Sequence, residues 1–252
     1  MRKSLLALTL AALSAQANAL TTGDIAFTSF NADEDGLSFV TFVSIAANTT
    51  VYFADNEWNG SAFNTGESYN MWNSGASAIA AGTVVRFSDY DKTTLSASVG
   101  SLSRVSVANS ANWGIASSNE TIYAYLGTGA TTPTTFLAAI TNGSFTADGP
   151  LTNTGLTEGV TALRLNANAT SATPDYAEYA GLRVGETSFG AYKTKVMNLG
   201  NWTVDTSNGS YATTVPNTTA FTITPVPEPE TYALILAGLG LVGAMARRRK
   251  GA

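Results

Sequence analysis

The chain has 252 residues, with 18 acidic and 13 basic side chains and neither cysteine nor histidine. These two absences exclude disulfide bonds, thiolate and imidazole metal sites, Ser-His-Asp and Cys-His catalysis, and any switch that depends on histidine titration. Charged residues make up only 12% of the chain, and aromatic and β-branched residues are spread along it. The composition therefore indicates a folded extracellular β protein and not a disordered one.

The first residues have the pattern of a secretory signal peptide. Two basic residues precede an apolar run at residues 5–13, and an A-x-A cleavage motif follows at Ala17 and Ala19. We predict a signal peptide over residues 1–19, cut after Ala19 and handled by the secretion translocon and signal peptidase. The alternative is an N-terminal core helix.

Residues 20–225 show the pattern of an extracytoplasmic β domain, because short period-2 segments bounded by Gly, Asn and Asp recur. The predicted strands are Asp24–Phe30, Leu37–Ile45, Thr50–Ala54, Thr83–Ser88, Arg104–Ala108, Thr121–Leu126, Phe136–Ile140, Thr161–Leu165 and Ala220–Thr224. Ser188–Asn198 is predicted to be a helix with Ser188 as its N-cap. Residues 57–78 are predicted to be a long loop.

These strands predict an all-β fold, a single β-sandwich of immunoglobulin-like class with one short helix. Ala46–Asp55 resembles Ala80–Asp89, which indicates two similar turn–strand units in one sandwich and not a solenoid. The stretch from Gly23 to Trp58 is also similar to the β-sandwich repeat found near lamin-tail-like domains of secreted bacterial proteins.

The predicted body is strongly anionic. Residues Leu20–Val226 keep 16 acids and 7 bases, a net charge of −9, because two bases precede this range and two acids and four bases follow it. Such a surface does not attract nucleic acid or anionic lipid, so we predict no nucleic-acid partner. It does attract divalent cations.

One acidic loop between two predicted strands is a candidate calcium site. Asn31, Asp33 and Asp35 precede Gly36, and calcium prefers several oxygen ligands on a tight loop. The complete EF-hand pattern is absent, because its twelfth position is Phe42 and not glutamate. An acidic hairpin turn is the alternative, since Asn, Asp and Gly favour turns. No other cofactor is predicted.

Two further acidic groups end the two similar strands, Asp55 with Glu57 and Asp89 with Asp91. Two carboxylates at a suitable separation can hydrolyse a glycosidic bond. The spacing in the sequence selects no particular pair, however, and ordinary strand-end turns are the alternative. We therefore predict no catalytic residue.

Aromatic residues are frequent in and near the predicted long loop, and they suggest a glycan contact. The candidates are Trp58, Tyr69, Trp72 and Tyr90. Exposed rings of this kind can stack on sugar faces. The alternative is that they pack over the edge of the core, because large aromatic side chains dominate burial.

Residues 226–252 consist of a Pro/Glu motif, an uncharged apolar stretch and a basic stop. The 16 residues between Glu230 and Arg247 carry no charge. A helix of that length spans about 24 Å, slightly less than the roughly 30 Å bilayer core. We predict a single transmembrane helix at about 231–246, with the basic tail at 247–250 in the cytoplasm. The alternative is a buried core helix.

This tail resembles the PEP-CTERM sorting signal of Gram-negative bacteria. The resemblance rests on the apolar stretch, on the motif Pro227, Glu228 and Pro229, and on the basic stop Arg247, Arg248, Arg249 and Lys250. It implies recognition by an exosortase, a membrane-embedded cysteine protease. It also implies cleavage near the Pro-Glu-Pro motif and release or transfer to the cell envelope or exopolysaccharide.

Together the two ends predict an exported protein that is anchored transiently in the inner membrane, with its body outside the cytoplasm. We expect a cell-surface or exopolysaccharide-associated protein with a structural, adhesive or glycan-binding role. Two other hypotheses stay open. One is a secreted polysaccharide hydrolase that uses two carboxylates, and the other is a calcium-dependent adhesion module.

Overall fold

Two six-stranded β-sheets pack against each other through their inner faces. The computed structural model describes residues 19–167, 173–205, 207–224, 234–242 and 247. The first sheet has the spatial order β13 (Trp202–Val204), β11 (Tyr176–Tyr179), β1 (Ile25–Asn31), β2 (Gly36–Thr41), β5 (Val84–Ser88) and β6 (Ser96–Ala97). The second has the order β10 (Ala162–Arg164), β9 (Thr132–Thr141), β8 (Thr121–Gly129), β3 (Thr50–Ala54), β4 (Tyr69–Asn73) and β7 (Ser101–Arg104).

Most neighbouring strands in the two sheets are antiparallel, and β9 with β10 is a parallel pair. A separate parallel pair consists of β12 (Val184–Glu186) and β14 (Thr222–Ile223). The described residues of the body are therefore mostly β-structure, with one α-helix and one short 3-10 helix (Leu199–Asn201), and a further helical segment lies in the tail. The all-β prediction is confirmed.

The interior has two parts. The inner core lies between the sheets, where Phe53 of the second sheet contacts Phe39 and Phe87 of the first. The second part lies on the other face of the second sheet, and we call it the outer aromatic cluster. Its large members are Trp58, Phe63, Tyr69, Tyr123, Tyr125 and Phe136. Alternation along each strand explains both parts, because successive side chains point to opposite faces of the sheet.

Several predicted elements differ from the observed ones. β3 has the predicted bounds, but β2 ends at Thr41, where the threonine hydroxyl donates to the Val43 carbonyl at 2.6 Å. The predicted strand Arg104–Ala108 is wrong, because β7 ends at Arg104. β4 lies inside the predicted long loop, and its two asparagines hide the apolar alternation that marks a strand.

The predicted helix is present as α1 (Phe189–Val196), and Ser188 is its N-cap. The Ser188 hydroxyl accepts a hydrogen bond from the Ala191 backbone N–H at 3.2 Å, which satisfies one free donor of the first turn. Tyr192 and Val196 anchor the helix by their burial. The helix thereby covers one side of the inner core.

The Ser188→Ala substitution is expected to lower the free energy of unfolding by about 1 kcal/mol, because a helix N-terminus loses its capping acceptor. Urea unfolding measures the change. Thr187→Ala is the control, since Thr187 is exposed and precedes the cap, and it should stay within about 0.5 kcal/mol of wild type. Equal losses in both variants would contradict the role of the cap.

The tail is described only in part. Residues 234–242 are helical, and their side chains are exposed. In the part of the chain that the structure describes, no helix is both long enough and apolar enough to cross a bilayer. The span predicted at about 231–246 and the signal peptide predicted for residues 1–19 lie partly or largely outside the described residues, so both stay predictions.

Candidate functional site

A polar cluster lies between the two sheets at one end of the inner core. Asp55, Asn70 and Glu120 each stand two positions from an inward-facing residue of the second sheet. Those inward-facing residues are Phe53, Trp72 and Ile122. Because side chains at i and i+2 share a face of a strand, these three polar groups continue the inner face past its apolar part. We call Asp55, Ser68, Asn70, Tyr90 and Glu120 the inner acidic cluster.

Asp55 is held in place by the segment that leads into β4. The Ser68 backbone N–H donates to Asp55 Oδ1 at 2.6 Å, and the Ser68 hydroxyl donates to Oδ2 at 2.8 Å. The Asn56 side-chain amide donates to the Ser68 carbonyl at 2.9 Å and ties the two segments together. Asp55 is only 1% exposed, so these contacts replace the water that would otherwise solvate its carboxylate.

Glu120 is anchored by the segment between β7 and β8. The Ala116 backbone N–H donates to Glu120 Oε2 at 2.8 Å. Asn142 accepts from the Glu120 backbone N–H at 2.8 Å and donates its side-chain amide to the Ala116 carbonyl at 3.1 Å. Residues 105–119, which form neither helix nor strand, thus cover this end of the core.

Asn70 and Tyr90 supply polar atoms that the protein leaves without partners. Both residues are fully buried, and in the described residues neither amide atom of Asn70 nor the hydroxyl of Tyr90 has a hydrogen-bond partner. Burial and the charge of Asp55 raise the pKa of the Tyr90 hydroxyl well above its ordinary value, whereas weak polar contacts with the Asn70 and Ser68 side chains, which lack the geometry of full hydrogen bonds, lower it. Asn70 is opposite Phe53 in the β3–β4 pairing, and the Ser68 hydroxyl donates to Asp55, so both side chains lie on the inner face of the sheet next to Asp55.

The carboxyl groups in this region have pKa values well above those of exposed acids. Burial raises the pKa of Asp55 to about 8, and the charge of Glu67 adds to this effect. Burial raises the pKa of Glu120 to about 9, and the charge of Asp55 raises it further. Burial and the charge of Glu57 raise the pKa of Glu67 to about 7. The ion pairs of the described residues all lie elsewhere, so no basic side chain pairs with these acids.

The loop predicted to bind calcium uses its side chains in other contacts. Asn31 Oδ1 accepts from the backbone N–H groups of Asp33 and Glu34 at 3.1 and 3.2 Å. Asp33 accepts from the Tyr211 N–H at 2.6 Å, and Asp35 accepts from the Ile115 N–H at 2.5 Å.

These contacts close the loop on itself and join it to two distant segments of the chain, which is the geometry of a turn held by its neighbours. Across the described residues, no group of three or more acidic side chains could hold a metal ion together. Calcium at Asn31, Asp33 and Asp35 stays a prediction.

The four aromatic residues predicted to contact glycan are buried. Trp58 is 6% exposed, and Tyr69, Trp72 and Tyr90 are less exposed still. The Trp58 indole N–H donates to the Thr152 carbonyl at 2.9 Å, which fixes the ring under the outer loops. The structure therefore places these rings in the two cores and not on an exposed loop, and a glycan contact at these four residues stays a prediction.

The acids that end the two similar strands do not share an open cleft. Asp55 is buried, whereas Asp89 is at the surface and pairs with Lys92 at 2.7 Å. A surface cavity of about 180 Å³ lies elsewhere and contains no acidic residue. Its lining residues are Gly159, Val160, Lys193, Thr194 and Met197. The arrangement thus gives a polysaccharide no access to the buried carboxyls of Asp55 and Glu120.

The sequence analysis names Asp55 as a strand-end acid and Tyr90 as an aromatic candidate. It does not identify Asn70 or Glu120, and it does not predict that the four residues form one cluster. A usable signal was present, because each missed residue stands two positions from a large apolar residue in a strand. A polar residue in that position extends the buried face of the strand. The signal was hidden for Asn70 because β4 was itself predicted to be a loop.

The fold and site define an all-β protein of two packed sheets with a buried acidic cluster at one end. Residues 225–250 match the family model described as the PEP-CTERM protein-sorting motif. The match confirms the resemblance seen in the sequence and identifies the chain as carrying a PEP-CTERM domain. Such a signal implies an exported, membrane-transiting protein that is processed by an exosortase.

The family match covers the sorting signal and does not extend over the β body. No curated protein and no solved structure matches the chain.

Proposed function

We propose that this protein is a non-enzymatic structural or adhesive component of the cell envelope or exopolysaccharide. In this proposal its two packed sheets form a β-sandwich of immunoglobulin-like or lamin-tail-like class. The exosortase cuts near Pro227–Pro229 and delivers the β body to its final location outside the cytoplasm. Removal of the membrane-associated tail is then a step of delivery, as it is for other removable C-terminal anchors.

The position of the motif relative to the fold carries this proposal. The Thr224 backbone N–H donates to the Glu186 carbonyl at 2.7 Å, next to the β12–β14 pair. The matched motif begins at residue 225, immediately after this last described contact. A cut near the Pro-Glu-Pro motif therefore releases the body with all of its described strands, and no element of either core is lost.

The burial of the acidic groups supports a non-enzymatic role. A glycosidase needs two carboxyl groups that face a bound sugar. Asp55 and Glu120 are 1% and 3% exposed, and the described surface cavity at Lys193 has no acid in its lining. Turnover of a polysaccharide that is abolished by one Asp or Glu substitution would overturn this part of the proposal.

Intact-mass measurement tests the sorting route. In a host with an active exosortase, the mature protein is expected to lack Arg247–Lys250 and to begin near Leu20. The Glu228→Ala variant is expected to accumulate with its tail, because the protease loses part of the motif that it recognises. Deletion of the exosortase should have the same effect on the wild-type chain.

Glu158→Ala is the matched control, since it also removes one glutamate but lies on the surface of the β body. It should be processed like wild type. A tail that persists at steady state in the wild-type chain, with the exosortase active, would contradict the proposal. So would equal processing of the wild-type and Glu228→Ala chains.

A further inference from the structure

We propose that the inner acidic cluster is a binding site for one divalent cation, with calcium as its ligand. The Asp55 and Glu120 carboxylates supply the negative charge. Asn70 Oδ1 and the Tyr90 hydroxyl supply neutral oxygens. This site is separate from the acidic loop at Asn31–Asp35, and it does not depend on how the protein is sorted.

The uncompensated charge of the two buried acids favours a bound cation. Asp55 and Glu120 are buried at the same end of the core, and the ion pairs of the described residues leave them without a basic partner. An isolated carboxylate in such surroundings costs several kcal/mol unless it takes up a proton or gains a cation. The pKa values of both groups are raised for the same reason, because burial disfavours the charged form of each carboxyl. A bound dication would neutralise both charges at once.

The unpartnered polar atoms of the cluster favour a bound cation independently of charge. Asn70 and Tyr90 are fully buried, yet the structure gives no hydrogen-bond partner to either amide atom or to the hydroxyl within its described residues. Buried polar atoms normally have partners, and each unpaired one costs about 1–3 kcal/mol. Asn70 is opposite Phe53 in the β3–β4 pairing, so it lies on the same inner face as Asp55, which stands two positions after Phe53. Ser68, two positions before Asn70, holds the Asp55 carboxylate on that face. The Asn70 amide is thus a neutral oxygen donor on the face that carries the acid.

The chemistry of the donors selects calcium. All of the available ligands are oxygens, and the chain has no cysteine or histidine to favour zinc or copper. Magnesium requires a near-ideal octahedron and usually retains several waters, which a buried site with irregular donors does not provide. Calcium accepts six to eight oxygens in a flexible geometry, and backbone carbonyls or water can complete the set.

The route for the cation lies under residues 105–119. This covering segment forms neither helix nor strand, and one of its contacts with the cluster is the Ala116–Glu120 hydrogen bond. Entry therefore requires local displacement of the segment and not separation of the two sheets. Because binding displaces protons from both carboxyls, calcium affinity should rise with pH.

Thermal unfolding of the full chain at pH 8 tests the proposal, first in EDTA and then with calcium chloride. At a calcium concentration about 100 times the Kd, the midpoint is expected to rise by about 5–10 °C. The rise should be smaller at pH 6, and magnesium chloride should give less at either pH. The Asp55→Asn and Asn70→Leu variants should lose the calcium response.

Asp33→Asn is the matched control, because Asp33 belongs to the acidic loop and not to the cluster. It should keep the full calcium response. Asp55→Asn removes a buried charge and is expected to fold at least as well as wild type in EDTA, so its loss of response would not reflect misfolding. No midpoint shift in the wild-type chain, or a shift lost in Asp33→Asn and kept in Asp55→Asn, would overturn the proposal.

Discussion

Replacing Phe53 with alanine is expected to lower the free energy of unfolding by about 3–5 kcal/mol, as large-to-small changes at buried phenylalanines do. The Phe53 side chain is fully buried on the inner face of β3. Its ring centroid lies 4.9 Å from that of Phe87, 5.7 Å from Phe39 and 6.3 Å from Phe27. All three neighbours belong to the opposite sheet. Truncation therefore opens a cavity where the two sheets meet.

Urea unfolding monitored by tryptophan fluorescence measures this loss. Val215→Ala is the control, because Val215 is 68% exposed and its truncation should change stability by no more than about 0.5 kcal/mol. A loss below about 1 kcal/mol in Phe53→Ala would mean that the sheets are not held together by this aromatic contact.

The protein without bound cations is expected to become less stable as the pH rises from about 4 to about 9. The pKa of Asp55 rises from 3.8 to about 8 on folding, and that of Glu120 rises from 4.5 to about 9. Between these limits the folded chain binds more protons than the unfolded chain. Raising the pH therefore favours unfolding, because stability falls wherever the native state binds more protons.

The expected change in the free energy of unfolding between pH 6 and pH 8 is of the order of 3 kcal/mol. Each carboxyl contributes at most about 1.4 kcal/mol per pH unit, and local relaxation reduces that limit. Asp205 makes the free energy of unfolding rise with pH, but only between about pH 2 and pH 4. Burial alone would raise its pKa, but hydrogen bonds from Gly209 and Ser207 lower it to about 2. Urea unfolding in EDTA at pH 6, 7 and 8 measures the slope.

The Asp55→Asn variant should reduce this slope and should be more stable than wild type at pH 8, because it removes one buried ionisation. Glu158→Gln changes an exposed acid paired with Arg164, and it should leave the slope unchanged. A wild-type stability that is constant or increases from pH 6 to pH 8 in EDTA would contradict the raised pKa values. The same measurement with calcium present also reports on the proposed cation site.

Local sequence patterns predicted much of the sheet structure. β3 was predicted with its observed bounds, and α1 was predicted together with its Ser188 cap. Both elements have a complete local signal, an apolar alternation in one and a capping residue with a buried face in the other. The strands that were missed include β4 and β11, in which polar residues interrupt the apolar pattern. Segments of this kind form strands because neighbouring strands pair with them, and the local sequence does not show which strands those are.

The inner acidic cluster could be predicted only in part for the same reason. Asp55 and Glu120 are 65 positions apart in the chain, and they meet because β3 and β8 pair in a particular register. The same pairing buries Trp58 and Tyr69. From the sequence alone, these two rings could either contact a sugar or pack in the core. The register between two strands is the one that buries the most apolar area on the covered face. That area depends on all strands of the sheet and not on one segment of sequence.

The sequence by itself determined the sorting signal, because charge, apolar length and the Pro-Glu-Pro motif act over a continuous stretch of chain that needs no fold to be recognised. It also determined the all-β class, through the alternation of short segments. Only the tertiary structure decided which aromatic rings are covered and which carboxyls lack a counter-charge. Burial depends on what packs against a residue, and the packing partners here come from distant strands.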